Sequence, residues 1–239
     1  MSGHYMSFEA TASLRHDAET FIANIHKGVA ASQSLLVQRV LDAFVNQCVE
    51  TYFIAPADVA GLSPMSRKIL VTAIATIRKT VQMVVGRIVR KLSNREMQPL
   101  AQFMDEIMFR DHSNPDGLAF IAFPLDAQLA DRFRRMQQAS RERQPQALAE
   151  TVESFQFMAE EAITYFFDEP VAMLRLGPVL GKMARMGIDT TRSVTNTLIR
   201  RIFSTLDEQQ LMAVLDYFCG LITDEAPVVG DALVQMEWA

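Results

Sequence analysis

Two passages occur twice in this sequence. TYF is found at residues 51–53 and again at 164–166, and a proline-centred passage reads LSPMSRK at 62–68 and LGPVLGK at 176–182. In both places the proline-centred passage follows TYF at nearly the same distance. Such a recurrence indicates an internal repeat, and a repeat determines the fold assignment for the whole chain.

A shift of 114 residues aligns the two copies without a gap over 56–107. Ten positions in that stretch are then identical, whereas unrelated sequences of ordinary composition would share roughly three. The TYF pair fits a shift of 113 instead. We therefore predict a tandem duplication with a period of about 114 residues, consisting of a first helical repeat at 1–110, an apolar connecting segment at 111–124, and a second helical repeat with a C-terminal tail at 125–239.

Each repeat is expected to contain about four helices. Apolar residues three and four positions apart run through 64–92, which is the spacing of one helix face, and Pro64 suits the first turn. Ser93 and Asp207 stand at matching places, each followed three residues later by Glu or Gln, so each is predicted to cap the next helix. The two copies thus predict the same local structure from different residues.

Further helices are predicted upstream of the proline-centred passages, at 34–53 and 147–166, each ending before a proline. Shorter helices are expected near 8–27 and 125–142. No run alternates with a period of two for long enough to predict a sheet. The predicted fold is therefore all-α, with both copies packed as one helical body, and the tail is expected to dock through Val234, Met236 and Trp238.

The composition is that of a globular protein: 49% of its 239 residues are hydrophobic, 21% are charged, and the net charge is −5. A negative net charge argues against nucleic acid as a partner. The two cysteines do not match between the copies, so no disulfide framework is expected and a cytoplasmic location is predicted. No signal peptide is visible, and Arg78, Lys79 and Arg87 interrupt the most apolar stretch, so no transmembrane helix is predicted.

No catalytic or metal-binding motif is present. The four histidines, at positions 4, 16, 26 and 112, form no HExxH pattern, and neither a nucleophile elbow nor a glycine-rich phosphate loop occurs. We therefore predict no catalytic residue, no metal site and no cofactor, and a non-enzymatic function is favoured over an enzymatic one.

Basic residues cluster on the helix predicted at 64–92. Five of them lie within an arc of about 140° at 100° per residue, and they are Arg67, Lys68, Arg78, Lys79 and Arg90. This layout is typical of a helix lying on an anionic membrane, and an ordinary solvated helix gives the same pattern. The first interpretation predicts a peripheral protein at the inner face of a membrane.

Fourteen methionines and fifteen phenylalanines supply flexible and aromatic side chains that can line an apolar pocket, although they can equally fill a core. The residues predicted to contact the apolar part of a ligand are Phe53, Met83, Phe103, Met104, Phe166 and Phe218. The residues predicted near its polar end are Tyr52 and Tyr165, with Arg87 and Arg201 in reach of an anionic group.

Three functions follow from these patterns. The first is a non-enzymatic protein that binds a hydrophobic or amphipathic, lipid-like ligand between its two repeats. One form of this hypothesis places the protein at a membrane surface. The second is an interaction module that uses a Met/Phe-rich groove to hold a helical partner or a second identical chain. The third is an enzyme that acts on a lipid-like substrate.

Overall fold

The computed structural model describes residues 3–110, 117–142, 144 and 150–227, and 73% of these residues are helical while 8% lie in strands. The helices are α1 (Ala12–His26), α2 (Ser34–Val49), α3 (Ala55–Val59), α4 (Pro64–Val89), α5 (Gln98–Ile107), α6 (Ala127–Arg141), α7 (Thr151–Ile163), α8 (Glu169–Met173), α9 (Pro178–Phe203) and α10 (Glu208–Leu221). The strands are β1 (His4–Glu9), β2 (Met108–Arg110), β3 (Ala119–Leu125) and β4 (Ile222–Thr223). The predicted helical character is confirmed.

Helix α4 begins as its sequence predicts. The Ser63 hydroxyl accepts a hydrogen bond from the Ser66 N–H at 3.2 Å, and Pro64 follows at the first helical position, where no N–H is needed. The residues spaced three and four apart, among them Leu70 and Ile77, are buried. The spacing of apolar residues therefore identified the face that α4 turns to the core.

Helices α4 and α9 run antiparallel along each other. Near the start of α4, the Ser66 hydroxyl lies 3.1 Å from the Thr205 hydroxyl, just beyond the end of α9. Near the end of α4, Arg87 donates to the Met183 sulfur at 3.8 Å, close to the start of α9. The two helices approach so closely at Gly187 that an added Cβ would lie 2.7 Å from a methyl group of Val84.

The described residues also contain a four-stranded antiparallel sheet, in the order β2-β3-β1-β4, so the prediction that no sheet forms is wrong. The sheet escapes detection because β2 and β4 have only three and two residues. Strand β3 lies inside the segment predicted as an apolar connection, and most of its residues are buried. A buried strand gives a continuous apolar run without alternation, which periodicity cannot distinguish from other buried structure.

The sheet links the beginning and the end of the chain. Strand β1 pairs with β3 over six residue pairs, from His4 opposite Leu125 to Glu9 opposite Phe120. Strand β2, which follows α5, pairs with β3, while β4, which follows α10, pairs with β1. The last strand of each half therefore completes its hydrogen bonds on the first strand of the other half.

A π-helical turn joins α2 to α3 at Glu50–Ile54, and a second joins α7 to α8 at Thr164–Asp168. Each turn ends two residues before a proline, Pro56 or Pro170. A proline ring clashes with the carbonyl four residues earlier in a regular α-helix, and the wider turn relieves that clash. The helical path therefore continues past both prolines, which corrects the expectation that it ends before them.

The two predicted caps differ. Asp207 caps α10, and its side chain and that of Gln210 form the complete capping box. Ser93 and Glu96 exchange the same kind of hydrogen bonds, but residues 94–97 form a turn and the cap of α5 is Met97. Ser93 therefore stabilises a turn before the helix and does not cap it. The predicted docking of the tail falls on 228–239, outside the described residues.

Candidate functional site: a cavity between the two halves

An apolar cavity of about 140 Å³ lies between α2, α4, α7, α9 and α10. Its wall takes residues from both halves of the chain, and both π-helical turns border it. Protein interiors are close-packed and contain few voids larger than a water molecule. A space of this size lined by both halves is therefore the first candidate for a binding site.

The π-helical turns place aromatic residues at the cavity. Tyr52 and Phe53 come from the first turn, and Phe166 and Phe167 come from the second. In each turn a backbone bond closes over five residues, from the Ala55 N–H to the Glu50 carbonyl in the first turn. This wider spacing changes which side chains face inward, and such turns are frequent at functional sites.

The wall of the cavity is apolar apart from four side chains, Cys48, Tyr52, Thr191 and Thr195, and within the described residues it contains no Asp, Glu, Lys, Arg or His. Thr191 donates its hydroxyl hydrogen to the Gly187 carbonyl at 3.0 Å. The Tyr52 hydroxyl, in contrast, is buried and has no hydrogen-bond partner among the residues that the structure describes. A buried polar group without a partner costs about 1–3 kcal/mol.

Both ionisable groups of the wall keep their protons. Burial raises the pKa of Tyr52 well above its usual value of 10.0, with Cys48 and Tyr217 adding smaller contributions in the same direction. Burial also raises the pKa of the Cys48 thiol. At neutral pH the cavity therefore presents a hydroxyl and a thiol and carries no charge.

A second, smaller cavity of about 50 Å³ lies between α1, α2 and α5. Phe166 lines both cavities, and it is the one described residue that they share. Its ring is buried and packs edge-on against Phe44 at 5.1 Å and Phe123 at 5.4 Å between ring centroids. The Phe166 ring therefore separates the two spaces.

The residues predicted to contact a ligand do not all come together. Tyr52, Phe53, Phe166 and Phe218 line the larger cavity, and Phe103 and Met104 line the smaller one with Phe166. Tyr165 lines neither; its ring packs 5.5 Å from that of Phe103, and burial raises its pKa to about 12. Met83, Arg87 and Arg201 are exposed on the long helices and line neither cavity.

The residues predicted to contact a ligand do not include the part of the wall contributed by α7 and α9. Phe155, Met158, Leu198, Ile199 and Phe203 all line the cavity. The helical spacing of apolar residues along both segments marks them as core residues. The spacing cannot show that the core around them is incompletely filled.

The five basic residues predicted to meet a membrane are spread over one side of α4. Arg67 forms an ion pair with Asp58 at 2.8 Å, and Lys68, Lys79 and Arg90 are exposed. Arg78 is partly buried, and its Nε has no hydrogen-bond partner in the described part of the chain. Within the same residues, α4 is the one helix long and apolar enough to cross a bilayer, but a core helix with one face against α9 meets the same criteria.

Among the described residues, no group of three His, Cys, Asp or Glu side chains is placed to hold a metal ion. The two described cysteines, Cys48 and Cys219, are both free thiols. A comparison of the chain with known proteins finds no matching family model, no matching curated protein and no matching solved structure.

Proposed function

We propose that this protein binds a small hydrophobic molecule in the larger cavity and does not transform it chemically. The observation that carries the proposal is an uncharged cavity of about 140 Å³ lined by residues from both halves. An engineered apolar cavity of about 150 Å³ stays dry and takes up benzene or xenon, so a space of this size accepts a single-ring molecule.

The proposal is narrower than a lipid-binding function in general. A long acyl chain would not fit in a space that holds a single ring. Burial contributes about 0.8 kcal/mol per CH2 group before the cost of association, so a ligand of six carbons gains about 5 kcal/mol at most. We therefore expect weak, reversible binding, which suits a carrier or a sensor of a small molecule.

A catalytic role for the same cavity is less well supported. A nucleophile or a general base needs a group that readily loses a proton near neutral pH. Cys48 and Tyr52 have raised pKa values, so neither side chain readily loses its proton near neutral pH. The interaction-module alternative stays open beside it: Phe103, Met104, Phe166 and Phe218 are buried, but Met83, Phe157 and Met186 are exposed.

We also propose that the chain arose by tandem duplication. In support, α4 and α9 both have 26 residues and start at Pro64 and Pro178, which are 114 residues apart. The two π-helical turns have equal length and start at Glu50 and Thr164, again 114 apart. At this shift Tyr52 corresponds to Phe166, so the two TYF passages are offset by one residue in structure.

A location at the inner face of a membrane stays a secondary proposal, motivated by the exposed Lys68, Lys79 and Arg90 on α4. Flotation with anionic vesicles should show binding that weakens as salt rises, because exposed charges are screened over about 8 Å at physiological ionic strength. Reversal of Lys68 and Lys79 to Glu should abolish it. Equal recovery with neutral vesicles contradicts the proposal, and so does recovery with neither kind.

Benzene titration tests the main proposal directly, read out by NMR chemical shifts and by the melting temperature. The protein should show saturable shifts at residues around the cavity and a higher melting temperature with benzene present. Ala162→Leu should fill part of the cavity and weaken binding about tenfold or more, because Ala162 lines it. The matched control Ala75→Leu, on the exposed face of α4, should leave binding unchanged. An absence of saturable shifts in the parent protein contradicts the proposed function.

A further inference from the structure

We propose that the cavity selects an uncharged molecule with one hydrogen-bond acceptor, that the hydroxyl of Tyr52 binds this acceptor, and that the ring of Phe166 limits the ligand to about the length of a single aromatic ring. This inference rests on the proposed binding function and adds to it a ligand class and two residues that determine specificity.

The absence of charge follows from the wall. Within the described residues no ionised side chain borders the cavity, and the two ionisable groups that do, Cys48 and Tyr52, stay protonated at neutral pH. A carboxylate or an ammonium group placed there would lose its water without gaining a counter-ion. Arg87 and Arg201, the cations predicted from the sequence, line neither cavity and cannot serve as one.

The preference for a ligand with a hydrogen-bond acceptor follows from the hydroxyl of Tyr52, which is unpaired within the described part of the chain. Tyr52 lines the cavity, and its buried hydroxyl lacks a partner among the described residues, whereas Tyr217 nearby donates its hydroxyl hydrogen to the Thr51 carbonyl at 2.9 Å. A ligand with a carbonyl or ether oxygen would supply the missing partner. The residue 114 positions later is Phe166, which also borders the cavity but has no hydroxyl, and the Thr191 hydroxyl is already bonded to the Gly187 carbonyl.

The length limit follows from the position of Phe166. Its ring is the shared wall between the larger cavity and the smaller one of about 50 Å³, and Phe44 and Phe123 hold it from two sides. A ligand that extends in this direction meets the ring. A smaller side chain at position 166 would join the two spaces and admit a longer molecule.

Four probes separate these claims when their dissociation constants are measured by NMR titration: benzene, benzaldehyde, benzoate and n-butylbenzene. With the parent protein we expect benzaldehyde to bind about threefold to tenfold more tightly than benzene. Benzoate should bind at least about a hundredfold more weakly than benzene. n-Butylbenzene should bind more weakly than benzene although it is more hydrophobic.

Two variants assign these preferences to residues. Tyr52→Phe should remove the advantage of benzaldehyde, so that the ratio of its dissociation constant to that of benzene rises to about one. Phe166→Ala should admit n-butylbenzene with at least about tenfold higher affinity than the parent. Should the alanine variant fail to fold, Phe166→Leu opens the same wall in part and should give a smaller gain in the same direction.

The outcomes distinguish the two levels of the proposal. Failure of benzene to bind the parent overturns the proposed function itself. Benzene binding combined with equally tight benzoate, or with an unchanged benzaldehyde advantage in Tyr52→Phe, overturns the inferred ligand class and leaves the binding function standing. Tight n-butylbenzene binding to the parent, or no gain in either Phe166 variant, overturns the role of Phe166.

Discussion

Arg78 and Arg192 lie 114 residues apart at the same place along α4 and α9, yet their surroundings differ. Arg192 donates to Glu160 at 2.8 Å on α7 and to Asp168 at 2.7 Å in the second π-helical turn, and it contacts Asp189 at 3.4 Å. Arg78 forms no ion pair with any described residue, and its Nε is buried without a hydrogen-bond partner.

The sequence explains the difference. The positions 114 residues before Glu160, Asp168 and Asp189 carry Asn46, Ile54 and Ala75, none of which has a carboxylate. A cluster of ion pairs thus surrounds Arg192 on α9, whereas no described residue forms an ion pair with Arg78 on α4. The ion pairs of Arg192 therefore add local stability around α9 that the matching position on α4 lacks.

The same contrast holds at the cavity. At the shift of 114, Tyr52 and Cys48 in the first half correspond to Phe166 and Ala162 in the second, and all four line the space. At these two positions the first half contributes a hydroxyl and a thiol and the second half contributes apolar side chains, while Thr191 and Thr195 add two hydroxyls from the second half. The polar side chains of the wall therefore come from both halves.

The closest contact between α4 and α9 gives the largest expected effect. Gly187→Val should destabilise the protein by about 2–3 kcal/mol, because the new side chain would overlap Val84 across the interface. Urea denaturation measures the loss. The double variant Gly187→Val, Val84→Ala should recover at least half of it, and additive losses would show that the strain has another source.

Exchange of the two arginines sharpens the comparison of their environments. Arg192→Met should cost about 1–2 kcal/mol, because Glu160 and Asp168 lose their shared partner at a partly exposed site. Arg78→Met should change the free energy of unfolding by less than about 0.5 kcal/mol, since no ion pair is lost. Both values come from the same denaturation assay. Equal losses in the two variants would contradict the assigned difference.

Alanine substitution at the two predicted capping sites should also cost more stability in the second half than in the first. Asp207→Ala removes the cap of α10 and should cost about 1 kcal/mol. Ser93→Ala removes a side chain from a turn that precedes α5, so we expect less than half of that loss. Thermal unfolding of the two single variants measures both losses of stability. A larger loss for Ser93→Ala than for Asp207→Ala would show that Ser93 is a helix cap.

The smallest expected effect concerns Tyr52 in alkali. Its pKa in the folded protein is raised, so its contribution is fully present below the unfolded pKa of about 10 and is lost as pH rises through the folded pKa. The parent should therefore lose about 0.4 kcal/mol more stability than Tyr52→Phe between pH 8 and pH 10. Denaturation at several pH values measures the difference. Parallel pH profiles for the two proteins would mean that the hydroxyl titrates freely in the folded state.

Much of the helical structure could be predicted from the sequence, because a helix that buries one face repeats apolar residues three and four apart. That pattern located α4 and its buried residues Leu70, Ile74 and Ile77. The sheet could not be found in this way, since β2 and β4 are too short to alternate and β3 is a continuous run of apolar residues. The Ser93 cap was misplaced because a capping-box pattern fits a turn as well as a helix.

The candidate site was predictable only in part. Tyrosines at helix ends beside prolines drew attention to Tyr52 and Tyr165, of which Tyr52 lines the cavity and Tyr165 does not, while Phe166, predicted as an apolar contact, does. Phe103 and Met104 lie on the far side of the Phe166 ring, because the packing of α5 against α1 sets their position and no local pattern records it. An unfilled volume is a property of the whole packed core, so single residues cannot reveal it.

A crystal structure of the protein under xenon pressure tests the central claim most directly. Xenon is uncharged, needs no hydrogen bond and occupies apolar cavities of about 150 Å³. We predict an anomalous-scattering peak between the two π-helical turns, in contact with the rings of Tyr52 and Phe166. An empty difference map at that place, with the side chains of α7 and α9 closing the space, would contradict the existence of the cavity and the binding function proposed for it.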